Sequence, residues 1–136
     1  MQPTFRLIEG VKSLLVRLAE HYQLAIVSTR SQKDADAFLQ QHALTEFFQL
    51  AVTQESTSRL KPHPEPILYA AHQLGISPEA CIMVGDTPVD IISARRAGTW
   101  AVGVLCGFGE EDELWRYGAH LVLPSTADLL PIVQSN

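Results

Sequence analysis

No apolar run in this chain approaches the ~20 residues that a membrane-spanning helix needs, so the sequence predicts no transmembrane segment. A secretory leader is not expected either, because Glu9, Lys12 and Arg17 interrupt any apolar stretch near the start. Cysteine is scarce: Cys81 and Cys106 make up the two in the chain, without metal-ligand or redox spacing. A reducing cytoplasm is therefore the expected compartment, and Cys81 reads as a small buried hydrophobe. The five histidines are scattered, with no zinc-like pairing. Basic residues number 10 against 15 acidic ones, a net charge of −5 with no basic cluster, which excludes the usual nucleic-acid footprint. Internal repeats and low-complexity segments are absent. What is present is a globular composition, 46% hydrophobic and 18% charged over 136 residues, enough for one domain spanning 1–136 with a real core.

Short apolar segments alternate with amphipathic ones. Met1 to Ile8 is a weak extended candidate. Val11, Leu14, Leu15 and Leu18 mark one helix face. Leu24–Val27 reads as a short buried strand. Ser31, with Asp34 three residues on, caps a helix whose inner face is Ala35, Phe38 and Leu39. Leu50–Val52 is a third apolar segment. A helix with Ile67, Ala70, Ala71 and Leu74 on one face stops at Gly75. Trp100–Val104 and Leu121–Leu123 are further strands. Gly107, Gly109 and the acidic run Glu110–Glu113 open a loop and short helix, and Ser125 caps a closing helix through Leu129, Leu130 and Val133. This alternation predicts an α/β fold: a Rossmann-like parallel sheet with helices on both faces and all strand C-termini on one edge.

The stretch Cys81–Gly98, CIMVGDTPVDIISARRAG, organises the rest. Cys81–Val84 reads as a strand buried on both faces, Gly85 as its turn, and Gly98 as the helix stop. Asp86 falls at the carboxyl edge of the sheet, where ligands bind in open α/β folds. Thr87 suits the cap of the next helix and Pro88 its first position. Asp90 fits two roles equally: the third-position acid of a Thr-x-x-Asp cap, or a second ligand beside Asp86 for a hard cation such as Mg²⁺. Ser28 and Thr29 follow one strand, and Lys61, held extended by Pro62, precedes a helix. A strand-end serine and a loop lysine usually have structural or solvated fates. Converging on one edge, these groups instead make a phosphate-handling set of hydroxyl, ammonium and carboxylate pair.

These motifs resemble the haloacid dehalogenase-like hydrolases, in particular the phosphoglycolate phosphatase-like branch, from about Gly10 to the end. LAIVSTR is similar to the family's second motif, KPHPEPI to its third and MVGDTPVDIISARRAG to its fourth. The resemblance implies a Mg²⁺-dependent phosphatase of small phosphate monoesters. Ser28 would bond the transferring phosphoryl group, Lys61 would steady nucleophile and phosphate, Asp86 would be the Mg²⁺ ligand and Asp90 its second acid. In the family an aspartate attacks, an aspartyl-phosphate forms, and water hydrolyses it.

The departure is the family's first motif, D-x-D on an apolar strand, and the cap domain that usually follows it. Neither is found in this sequence. Asp34-Ala35-Asp36 matches D-x-D literally but lies on a capped helix and reads as a solvated face. Without the nucleophile the chain is expected to be inactive alone. A non-catalytic phosphate- or protein-binding relative is the alternative. A phospho-receiver domain has a different residue order and is discounted. The missing motif also implies a missing central strand between Leu24–Val27 and Cys81–Val84. Those strands must then pair together, take the N-terminal segment, or accept a strand from a second copy or a donating partner.

Overall fold

A computed structural model describes residues 11–105 and 109–129, and among these the fold has five α-helices and five β-strands, joined in places by short 3-10 turns. In chain order these are α1 (Val11–Ala19), β1 (Ala25–Val27), α2 (Gln32–Gln41), β2 (Leu50–Val52), α3 (Glu65–Leu74), β3 (Ile82–Gly85), α4 (Pro88–Ala97), β4 (Trp100–Val104), α5 (Glu111–Arg116) and β5 (Leu121–Leu123). The expected extended segment Met1–Ile8 lies outside the described residues, as do Leu130 and Val133 of the expected closing helix. What is described there is a 3-10 turn, Thr126–Asp128, in which the Asp128 carboxylate accepts the Ser125 N–H.

Local chemistry explains the helix ends. Ser31 caps α2 by accepting the Asp34 N–H. Pro66 occupies the first turn of α3, where a missing N–H costs nothing. Gly75 and Gly98 close α3 and α4 in the left-handed region, at φ 70° and 82°, which glycine enters without a Cβ penalty. The Lys61–Pro62 peptide is cis.

All strand pairs are parallel, but they form two sheets: β1–β2, and β3–β4–β5. Among the described residues no strand joins β1 to β3. Helices α3 and α4 pack on each other, α3 against β1 and β2 and α4 against β3 and β4, so one helical layer underlies both half-sheets. On that face Ile67, Ile91, Ala94, Ala97, Ala101, Leu114 and Ala119 form a core cluster, with Val27 and Met83 packed against it. On the opposite face Leu14 and Leu18 of α1 pack with Val102, Val104, Leu123 and Leu129.

The break corrects two expectations. The segment Leu24–Val27 is not a fully buried strand: β1 is half-buried along its whole length. Nor is Cys81–Val84 covered on both faces. Ile82 is exposed, and Met83 and Val84 are half-buried. Both strands have a neighbour on one side only among the described residues, whereas β4, flanked on both sides, is buried from Ala101 to Val104. Cys81 itself is half-buried beside the strand, its thiol directed at the Ser77 carbonyl, and burial pushes its pKa up.

Candidate functional site

The site is built around the start of α4. Thr87 and Asp90 form a reciprocal capping box. The Asp90 N–H donates to Thr87 Oγ1, and Asp90 Oδ2 accepts from the N–H groups of Asp86 and Thr87 and from the Thr87 hydroxyl. The same carboxylate accepts at Oδ1 from Lys61 Nζ at 2.5 Å. Both side chains of this ion pair are only 10% exposed. Asp90 therefore takes the helix-cap role that its sequence position offered, and adds an ion pair with Lys61 that the sequence did not foretell.

Lys61 also reaches back to the first half-sheet, donating to the Val27 carbonyl at 3.1 Å. One ammonium thus spans the break, from the tip of β1 to the start of α4. Its loop is held from below. The Ser93 hydroxyl donates to the His63 carbonyl, Arg96 to Pro62, and Glu65 accepts from the Ser58 N–H and hydroxyl. Those bonds hold the Glu65 carboxyl below its usual pKa.

Ser28 stands at the tip of β1, half-buried. Its N–H donates to the Val52 carbonyl and its Oγ accepts from the Arg30 N–H at 3.0 Å, which leaves the hydroxyl hydrogen free to donate elsewhere. Thr29 is exposed, and among the described residues no hydrogen bond ties it to Lys61, Asp86 or Asp90. Asp34 and Asp36 lie on α2, as expected for a helix face, with Asp36 accepting from Gln32. Beside Ser28 a hollow of about 150 Å³ opens, lined by Ile26, Arg30, Ala35 and Phe38.

Asp86 is the half-buried carboxylate at the tip of β3. Burial raises its pKa, and the neighbouring Asp90 carboxylate raises it further, with Lys61 opposing. Two close approaches surround it, one to the Asp90 side chain and one to its own carbonyl. A Cβ on Gly85 would fall 2.2 Å from Asp90 Cβ, and one on Gly109 would fall 2.2 Å from the Asp86 carbonyl oxygen, to which the Gly109 N–H donates at 2.9 Å. Gly85 is thus required by the close approach of Asp90. It is not among the glycines with positive φ, so the expected turn is not the reason for it. The sequence carried no signal for the Gly109 contact or for the Val27 carbonyl, since both depend on segments distant along the chain.

Among the described residues no cluster of three or more histidine, cysteine or acidic side chains could hold a metal ion. Mg²⁺ needs fewer: one or two carboxylates, completed by water and phosphate oxygens. The donor set fits such a sparse site. Asp90 is already committed to Lys61 and the cap, and Asp86 has the excess negative surroundings that a cation would relieve.

Parallel strands flanked by helices, with a hydroxyl, an ammonium and two carboxylates near their carboxyl ends, define a Rossmann-like α/β class of fold. A sequence profile of the family described as haloacid dehalogenase-like hydrolase matches residues 1–104, and the chain belongs to that family. It is 36% identical over 112 residues to the pyrophosphatase PpaX of Bacillus cereus, covering 82% of this chain and 52% of that protein. A PpaX of Bacillus pumilus is likewise 36% identical, with the same shares. Among solved structures, a predicted phosphoglycolate phosphatase from Haemophilus somnus superposes with a TM-score of 0.88 at 30% identity, over 95% of this chain and 58% of the other. A haloacid dehalogenase-like family protein from Streptococcus pneumoniae gives 0.84 at 26% identity, over 93% and 60%. The chain spans about half the length of the curated relatives it matches. No helix among the described residues is long and apolar enough to cross a membrane.

Proposed function

We propose that this chain is the phosphate- and Mg²⁺-handling core of a phosphatase acting on small phosphate monoesters. The observation that carries the reading is the Lys61 ammonium, held between the Val27 carbonyl and the Asp90 carboxylate at the carboxyl edge of both half-sheets. Ser28 and Thr29 offer hydroxyls to phosphoryl oxygens, and Lys61 neutralises their charge. Asp90 fixes Lys61, and Asp86 is the ligand for Mg²⁺, which when bound supplies charge stabilisation at the phosphoryl group. A relative named as a pyrophosphatase and a structural neighbour described as a predicted phosphoglycolate phosphatase support the phosphate reading.

The described residues bind a phosphoryl group but do not attack it. Asp90 is saturated by Lys61, two N–H groups and a hydroxyl, and Asp86 is assigned to the cation. Ser28 Oγ accepts from a backbone N–H, and no base activates it among its described contacts. Turnover therefore needs a carboxylate nucleophile from outside these residues. Titration of this chain with inorganic phosphate, followed by ³¹P resonance, tests the site. Binding that strengthens with Mg²⁺, at concentrations on the order of millimolar for so sparse a cation site, and that is lost in Lys61→Ala is expected. Phosphate binding indifferent to Lys61→Ala would overturn the site. Hydrolysis of p-nitrophenyl phosphate at about one turnover per second or faster, the low end for ordinary enzymes, would overturn the missing-nucleophile reading.

A further inference from the structure

We propose that Ser93 is a positioning residue for Lys61: its buried hydroxyl fixes the Lys61–His63 segment to α4 and so sets where the ammonium stands for a phosphoryl group. The ligand half of this inference rests on the phosphate reading above, and the positioning half does not. Ser93 lies inside α4 at 0% exposure. A buried place inside a helix suits alanine, which α4 uses at Ala94 and Ala97. A serine inside a helix commonly bonds back to a carbonyl of its own preceding turn. Ser93 instead donates to the His63 carbonyl at 2.8 Å, 30 positions away along the chain.

Three consecutive residues are tied to this one helix. Lys61 Nζ donates to Asp90, the Pro62 carbonyl accepts from Arg96 at 3.5 Å, and the His63 carbonyl accepts from Ser93. Asp90, Ser93 and Arg96 are spaced by three, which makes successive members neighbours on the helix surface. The contacts are unequal. The Arg96 bond is long and exposed, so Ser93 is the main anchor of the backbone. An anchor matters here because lysine is a point charge on a flexible four-carbon stem. Its ammonium has three donors. Two are committed, one to the Val27 carbonyl at the tip of β1 and one to Asp90 on α4. The third is the donor left for a phosphoryl oxygen, and its direction is set only while both committed bonds hold. Fixing the backbone two residues on from Lys61 keeps both acceptors within reach, a support that locks a site residue from behind.

The test reads the Lys61 amine directly. Labelling of the whole chain with acetic anhydride, followed by mass spectrometry, compares its lysines in one sample. Lys12 and Lys33 are exposed, whereas the Lys61 side chain is only 10% exposed. In Ser93→Ala, Lys61 should be labelled roughly 2- to 10-fold faster, the shift in loop opening that the net worth of one hydrogen bond corresponds to. Lys12 and Lys33 should be unchanged. Thr99→Val is the matched control. It also removes a buried hydroxyl, one that bonds to the Ala94 carbonyl and not to the Lys61 segment, and it should leave Lys61 labelling at the parent rate. Should Ser93→Ala fail to fold, Ser93→Cys, whose thiol is a weaker donor, carries the same comparison. Equal acceleration in the Ser93 and Thr99 variants would mean a general loosening of α4 and would overturn the proposal. So would no acceleration in the Ser93 variant. Titration with inorganic phosphate, followed by ³¹P resonance, decides the ligand half. The Ser93 variant should bind phosphate about threefold more weakly or worse. Unchanged binding, with Lys61→Ala having lost it, would overturn that half alone. Phosphate binding indifferent to Lys61→Ala would overturn the ligand half together with the phosphate reading, and the labelling rates would still decide whether Ser93 positions Lys61.

Discussion

Asp86 carries the most exposed consequence of the charge arrangement at the site. Its pKa is raised by burial first and by the Asp90 carboxylate second. A raised carboxyl pKa means that the folded state holds its proton to higher pH than the unfolded chain does. The folded state is therefore penalised as pH rises through this window, from the ordinary carboxylate range upward. Asp86→Asn removes the penalty, so the variant should be more stable than the parent at neutral pH. The gain should vanish in acid below the ordinary carboxylate pKa, where Asp86 is protonated in both states. The side chain is half exposed and solvent screens the repulsion, so the gain is roughly 0.5 kcal/mol or less. Mg²⁺ should raise the melting temperature of the parent and leave Asp86→Asn unmoved. A variant less stable than the parent at pH 7 would show that the carboxylate holds the site together, contrary to this account. The position of Asp86 at a strand tip was legible in the sequence because it follows from a local strand-to-helix pattern. The identity of its neighbours was not, because Gly109 reaches Asp86 from a different loop.

At the level of single elements, caps were the most legible feature. Ser31 with Asp34 and Thr87 with Asp90 both close as their spacing predicts, because a cap is satisfied within four residues. The two are not equivalent. Ser31 serves one N–H, whereas the Thr87 hydroxyl also donates to the buried Asp90. Ser31→Ala should cost about 1 kcal/mol, an ordinary capping loss. Thr87→Ala should cost about 2 kcal/mol, because a buried carboxylate also loses a donor. Thr87→Ser, which keeps the hydroxyl, should recover most of that difference. Urea unfolding of the three variants gives the comparison, and equal losses for Ser31→Ala and Thr87→Ala would show that the hydroxyl bond to Asp90 contributes nothing. What could not be read from these elements was Asp90's second partner. Lys61 lies 29 positions away, and only the packing of α3 on α4 brings the two together.

Across the whole molecule the alternating pattern identified the parallel α/β class, since apolar strand and amphipathic helix have different periods. It misjudged how deeply two strands are buried. An apolar run such as Leu24–Val27 is consistent with a strand covered on both faces, but burial depends on neighbours that the run does not specify. Among the described residues β1 has one strand neighbour, and every residue in it is half-buried. This difference should appear as unequal local stability. The β1–β2 pair has two short strands, and two-stranded units are marginal alone. The β3–β5 sheet has buried β4 at its centre, with Ala101, Val102 and Val104 at most 6% exposed and core clusters on both faces. Regions with fewer buried contacts open at lower free energy than the core. Native-state hydrogen exchange should therefore show the amides of Ile26 and Ser28, bonded toward β2, opening well before those of Val102 and Val104. Exchange at β1 as slow as at β4 in the unliganded chain would mean that the two half-sheets unfold as one unit, and that the shared layer of α3 and α4 couples them more strongly than strand pairing separates them.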